Sequence, residues 1–155
     1  METETHDTIQ RIEPDMAFAA EVTAMPGGEH IKNCFACGTC AAGCPVTAVH
    51  PEYNCRKIIR EVLLGMRESV LASPLIWYCV TCYRCSARCP QEVNFADIMR
   101  VLRYLAVKGG YASPGLYEGV SRAEKSSQTA RKDMIAQAIR MNDKLMPETG
   151  IKGKA

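Results

Sequence analysis

Eight of the nine cysteines fall in two runs of one spacing, CFACGTCAAGCP over residues 34–45 and CVTCYRCSARCP over residues 79–90. Moving the first run by 45 positions lands Cys34, Cys37, Cys40, Cys44 and Pro45 on Cys79, Cys82, Cys85, Cys89 and Pro90. Four thiolates at that density can hold a zinc ion or an iron–sulfur cluster. Zinc sites usually draw on two cysteine pairs separated by a longer loop, each pair supplying one edge of a tetrahedron. Here the order is Cys-x2-Cys-x2-Cys-x3-Cys-Pro. Three thiols spaced by two residues wrap one inorganic cube, and the fourth is directed away from it. In two-cluster ferredoxins that fourth cysteine ligates the other cluster. The spacing therefore predicts two [4Fe–4S] clusters. Cluster one takes Cys34, Cys37, Cys40 and Cys89; cluster two takes Cys79, Cys82, Cys85 and Cys44. Crossed ligation explains why both runs occur in one chain, since each completes the other's site and clamps the two loops together.

The other residues of the runs fit this chemistry. Ala36, Gly38, Ala41, Ala42 and Gly43 let the backbone approach the sulfides and aim N–H groups at them, which tunes the reduction potential. Pro45 and Pro90 release the chain from each loop. The second run is bulkier, with Tyr83, Arg84 and Arg88, so its cluster is expected to differ in potential. Cys55 stands outside both runs and reads as a small, partly buried non-ligand thiol. His6, His30 and His50 lie at no ligand spacing and read as surface or loop residues. Trp77 and Tyr78 precede Cys79, where packing is the simpler role and shielding of a cluster the alternative.

Helices must present these loops. A short one is expected from about Asp15 to Met25, stopped by Pro26-Gly27-Gly28, after a mobile tail over residues 1–13. In YNCRKIIREVLLGMRESVLASP, Asn54 can cap a helix whose apolar positions are Ile58, Ile59, Val62 and Leu63. Gly65 marks a break before a further turn or two from Arg67 to Ala72. In NFADIMRVLRYLAVKGG, Asn94 is the expected cap and Asp97 sits in the first turn. Phe95, Ile98, Met99, Leu102 and Leu105 form the apolar stripe, and Gly109-Gly110 ends the helix after Lys108. A third helical region is expected from Ser113-Pro114, with an interruption before it continues through KSSQTARKDMIAQAIRMNDKLM. No stretch alternates with period two, so the chain reads as all-α.

Composition narrows the function. Apolar residues make up 47%, enough for a core, but aromatics only 6%, so that core leans on Leu, Ile, Val, Met and Ala. Lys and Arg total 19 against 17 for Asp and Glu, a formal charge of +2 that leaves no electrostatic footprint for nucleic acid. The most apolar stretch, SVLASPLIWYCV, is too short for a membrane span and contains Pro74. METETHDTIQRIEPD lacks a basic region followed by an apolar one, so no secretion signal is read there and a cytoplasmic location is expected. Disulfides are rare in that compartment, which favours cysteines as metal ligands.

The two runs, together with YNCRKIIREVLLG, SPLIWYCVTCYRCSARCP and VNFADIMRVLRYLAVKGG, resemble the C subunit of heterodisulfide reductase over about residues 30–115. The runs alone also resemble the helical ferredoxin modules of succinate dehydrogenase and of the anaerobic glycerol-3-phosphate dehydrogenase C subunit. The family often has proline where this chain has Cys55. The resemblance implies a helical ferredoxin-like domain over residues 30–110, with an N-terminal extension (1–29) and a C-terminal helical extension (111–155). It implies an electron-transfer subunit of a larger complex. Such a subunit passes electrons from a flavin-containing partner to a disulfide-reducing partner, which reduces the disulfide of coenzyme M and coenzyme B. Related bacterial complexes use the same module in sulfur metabolism or in quinone-linked chemistry.

The residues support a non-catalytic role. There is no G-x-G-x-x-G fingerprint and no nucleophile–base set, and the clusters consume all eight patterned cysteines. The competing readings are a subunit of another anaerobic redox complex, a free ferredoxin, and a zinc-stabilised structural or nucleic-acid-binding module. Helical extensions and near-neutral charge favour a complex subunit. Met134, Ile135, Ala138, Ile139 and Leu145 give the C-terminal segment an adaptable apolar pattern. It and the segment before Cys34 are expected to lie against other subunits.

Overall fold

The computed structural model describes residues 13–141. The mobile tail expected over residues 1–13, His6 and Leu145 lie wholly or almost wholly outside them. The described residues contain helices and connecting turns and no strand.

α1 spans Phe18–Thr23, shorter than the expected Asp15–Met25. The Asp15 carboxylate accepts the Ala17 N–H at 2.9 Å, so Asp15 sits before the helix instead of inside it. Phe18 and Val22, four residues apart, are fully buried in the chain's own core. The segment before Cys34, expected to lie against other subunits, thus turns this face to the chain's own core. The helix is too short for its two-residue apolar face to stand out as a periodic pattern. Backbone and side chain both hold it: Asp15 N–H donates to Gly65 O at 2.8 Å, and Arg67 pairs with Asp15 and Glu21.

A 3-10 turn over Ile31–Asn33 leads into the first cysteine run, which contains α2 (Thr39–Ala42) and continues into α3 (Pro45–Val49). Pro45 takes the first position of α3, where its missing N–H has no intrahelical partner. α4 spans Cys55–Leu63, and Asn54 Oδ1 accepts the Lys57 N–H at 3.1 Å as its cap. Ile58, Ile59 and Val62 are buried as expected; Cys55 joins them, while Leu63 is only half-buried. Gly65 breaks the chain at φ +74° before α5 (Arg67–Leu71) and a 3-10 turn over Pro74–Trp77. The second run contains α6 (Arg84–Arg88).

α7 spans Phe95–Lys108 and is the backbone of the core, with Phe95, Ile98, Met99, Leu102 and Leu105 all buried. Each such side chain contributes about 1.5–3 kcal/mol of burial. Asn94 precedes α7, but its side chain makes no capping bond, contrary to expectation. α1, α4, α5 and α7 pack together as one layer. α2 and α6, from the two cysteine runs, pack against each other and against α4 and α7 respectively. The core helices α4 and α7 thus hold both cysteine loops.

The chain divides into two compact units at Ser113/Pro114. The second is built on α8 (Pro114–Arg140), one continuous helix without the expected interruption and with no buried residue. A run such as KSSQ has no strong breaker, so the helix continues through it. Among the described residues no helix is long and apolar enough to cross a membrane.

Candidate metal centre

The internal repeat extends from sequence into backbone. Ala36 and Thr81, 45 residues apart, both take left-handed φ values, +60° and +45°. So do Gly38 and Tyr83, at +85° and +57°. Three of these four residues carry a Cβ, and holding them there stores strain of the kind found at ligand clamps. Tyr83 is held by its side chain: its hydroxyl donates to Asp97 Oδ1 at 2.8 Å and the Arg100 guanidinium lies 5.5 Å from its ring centre. Each left-handed turn starts a short helix, α2 or α6; α6 ends on the extended Cys89, and α2 ends on Gly43, with the extended Cys44 next.

Two cavities open between these loops. One, of about 360 Å³ including its open side, is lined by Cys34, Cys37, Cys40 and Cys89, with Phe35, Arg56 and Phe95. The other, of about 300 Å³, is lined by Cys44, Cys79, Cys82 and Cys85, with Tyr53, Cys55 and Phe95. Three cysteines of one run and the last cysteine of the other therefore face each space. Phe95 walls both cavities, so they are neighbours. Cys37 and Cys82, equivalent in the repeat, are exposed, and so are Phe35 (59%) and Val80 (44%), which are also equivalent. Each cavity thus has an edge near the surface.

The cysteine sulfurs are surrounded by donors. Ala41 N–H bonds Cys40, and its repeat counterpart Ser86 N–H bonds Cys85. Cys37 Sγ lies 3.4 Å from Thr39 Oγ1; this hydroxyl, then the Thr39 N–H, holds the Cys37 thiol below its ordinary pKa. The Cys55 thiol bonds Cys40 and pulls its pKa down, with Arg56 adding a weaker attraction, while the same bond and burial push Cys55 up. In the second cavity burial dominates. It pushes Cys79 up, opposed by the Thr81 N–H, the Tyr53 hydroxyl and the charge of Arg103, and it pushes Cys85 up to about 11. A metal reverses this balance by holding the thiolate directly.

The donor set fits iron–sulfur clusters. A tetrahedral zinc ion draws its sulfurs to about 2.3 Å from one centre. Among the described residues no three His, Cys, Asp or Glu side chains converge on such a point. The cysteines instead line two separate spaces, four to each. Ser86 Oγ is buried without a well-formed hydrogen bond beside the Cys85 sulfur, a hydroxyl available to a sulfide or thiolate.

Several neighbours of the site are not marked in the sequence. Phe95 belongs to the apolar stripe, and nothing in that pattern puts it at a cluster. Tyr53 carries no signal, since nothing local marks it as close to Cys79. Arg103 has one: it is a charge four residues after Met99, on the buried side of α7, and it is only 4% exposed. Trp77 and Tyr78 line neither cavity. The Arg103 guanidinium lies 5.8 Å from the Trp77 ring centre, and Tyr78 faces His50 with ring centres 4.9 Å apart.

Comparison with known proteins agrees with this chemistry. The family described as 4Fe-4S dicluster domain matches residues 30–93. The C subunit of the H(2):CoB-CoM heterodisulfide,ferredoxin reductase of Methanothermobacter thermautotrophicus is 37% identical over 100 residues, which are 64% of this chain and 53% of that protein. An iron-sulfur C subunit (the second of that name) of the CoB--CoM heterodisulfide reductase of Methanocaldococcus jannaschii is 46% identical over 80 residues, 52% of this chain and 42% of that protein. A protein of Archaeoglobus profundus, described as like the C subunit of heterodisulfide reductase, is 34% identical over 120 residues, 73% and 64% of the two chains. In the first two comparisons the chain spans about half the length of the curated relative. Residues 30–93 thus form a two-cluster [4Fe–4S] domain, and the chain that carries it is similar to the C subunits of the heterodisulfide reductases.

Proposed function

We propose that this chain is the iron–sulfur relay subunit of a cytoplasmic heterodisulfide reductase-like complex. It takes electrons from a flavin-containing subunit and hands them to a disulfide-reducing subunit, which carries out the bond-breaking chemistry. In this reading Cys34, Cys37, Cys40 and Cys89 hold cluster one, and Cys79, Cys82, Cys85 and Cys44 hold cluster two. The observation that supports it is the pair of adjoining cavities, each lined by one such set and sharing Phe95 as a wall. When bound, each cluster accepts and releases one electron. The residues of the chain do the rest. The left-handed turns at Ala36, Gly38, Thr81 and Tyr83 shape the loops. Phe95 sets the separation of the two sites. Phe35 with Cys37, and Val80 with Cys82, give each site its own exposed edge, one for receiving electrons and one for delivering them.

Anaerobic purification of the tagged chain from its own host, followed by native mass spectrometry and metal analysis, tests the reading. The expected result is a brown protein with about eight iron per chain, co-purifying with a flavoprotein and a further redox subunit. A fully loaded chain that emerges alone makes it a diffusing ferredoxin instead. Zinc in place of iron removes the relay altogether.

A further inference from the structure

The two cavities are equivalent in the repeat but differ in what surrounds them. Cys79 and Cys85 are buried, whereas their repeat counterparts Cys34 and Cys40 are half-buried; Cys37 and Cys82 are both exposed. Reduction adds a negative charge, and a charge is harder to place where water is excluded. Burial alone therefore makes the second cluster the harder one to reduce.

Two side chains work against that. Tyr53 is 1% exposed and lines the second cavity with Cys79, where its hydroxyl works against the burial that pushes the Cys79 thiol up. A phenol is a hydroxyl donor at neutral pH. A hydrogen bond to sulfur strengthens as the sulfur gains negative charge, so it favours the reduced state. Arg103 is 4% exposed, and its guanidinium donates to the carbonyls of Ile76 at 2.9 Å, Trp77 at 3.1 Å and Cys79 at 2.5 Å. It therefore keeps a permanent positive charge at the Cys79 loop. The first cavity's hydroxyl and cation are both exposed: Thr39, whose Oγ1 lies 3.4 Å from Cys37 Sγ, and Arg56. The repeat equivalent of Arg103 is the apolar Ile58, and the side-chain donor beside Cys40 is the weaker S–H of Cys55.

We infer that Tyr53, supported by Arg103, raises the reduction potential of the cluster held at Cys79 and offsets the lowering that burial imposes there. The effect brings the two clusters closer in potential, so that an electron on one is not trapped by the other. The inference rests on the two-cluster reading above.

The experiment uses the full, cluster-loaded chain. Cys44→Ser, Cys89→Ser and Cys82→Ser first assign the two reduced-cluster signals. An unexpected pattern from Cys44→Ser or Cys89→Ser overturns crossed ligation alone, because Cys82→Ser still identifies the cluster beside Cys79. Spectroscopic redox titration then compares Tyr53→Phe with the parent chain. The expected result is unchanged iron content and a lower potential for the Cys79 cluster only. At fixed potential its reduced-to-oxidised ratio falls roughly three- to tenfold, where tenfold is 59 mV for one electron. Arg103→Gln lowers the same potential; if it fails to fold, Tyr53→Phe decides alone. No shift, an upward shift, an equal shift of both clusters, or loss of iron in Tyr53→Phe each overturns the inference, the last because it makes Tyr53 a purely structural support.

Discussion

Cys55 acts on Cys40, holding that thiol below its ordinary pKa, yet it lines the cavity that Cys40 does not. The ninth cysteine thus sits between the two sites without belonging to either run. It is 1% exposed and is the first residue of α4.

Cys55→Ala should leave iron content and both reduced-cluster signals in place. The lost side chain is small, so stability should fall by only about 1 kcal/mol. Cys55→Pro should also keep both clusters, because the first helical position needs no backbone donor. Loss of about half the iron in Cys55→Ala would show that Cys55 is itself a ligand.

Crossed ligation makes an asymmetric prediction. Cys44→Ser should damage the cluster at Cys79, Cys82 and Cys85, although 34 residues of sequence lie between Cys44 and Cys79. Cys89→Ser should damage the cluster at Cys34, Cys37 and Cys40. Electron paramagnetic resonance of the reduced variants reads which signal is lost. Damage to the cluster beside each mutated residue in sequence would reverse the assignment.

The N-terminal segment should be needed for stability rather than for cluster chemistry. A Cβ at Gly65 would lie 2.5 Å from the Asp15 carbonyl oxygen, at a φ of +74°. Gly65→Ala should cost about 2 kcal/mol or more, visible as a lower Tm of the loaded chain. Arg67→Ala should lower Tm as well, because it removes the partner of Asp15 and Glu21 and the cation over the Phe18 ring, 4.7 Å away. The Arg67 hydrogen bond, then the Ala17 N–H, holds the Asp15 carboxyl below its usual 3.8. The folded pKa is therefore the lower one, and this contribution is full above about pH 4 and is lost as pH falls further. The Tm difference between parent and Arg67→Ala should shrink on acidification; a difference that grows would contradict the pairing.

Removal of residues 114–155 should leave both clusters intact. α8 forms its own unit and buries none of its residues. Its exposed Leu116, Tyr117, Met134, Ile135 and Ile139 suit a partner's surface. The truncated chain should keep its full iron content while co-purifying less with the subunit that receives the electrons. Loss of both clusters would make the segment part of the core, and an unweakened complex would remove its docking role.

The chemistry of the site was legible in the sequence because it is set locally. Cysteines three and four residues apart are within reach of one inorganic group whatever the rest of the chain does, so the residue types and their spacing named the cofactor. Helix starts and stops were legible for the same reason. Asn54 meets Lys57 three residues away, and Gly109-Gly110 ends α7 with Gly110 at φ +77°. The failures were also local. Asn94 had the right residue type but no capping bond, and the interruption expected before KSSQ is absent from α8. What the sequence could not hold is the identity of neighbours brought together over long separations. Tyr53 reaches Cys79 across 26 positions, and Arg103 reaches back 24 positions to the same residue. Phe18 and Val22 find their core only when α1 packs on α4 and α7. These contacts depend on how helices pack, a sum of many weak burial terms that no single spacing encodes. The sequence by itself determined which groups can bind iron and sulfide. The tertiary structure decided which aromatic ring walls both cavities, and which hydroxyl and which charge stand beside the cysteines.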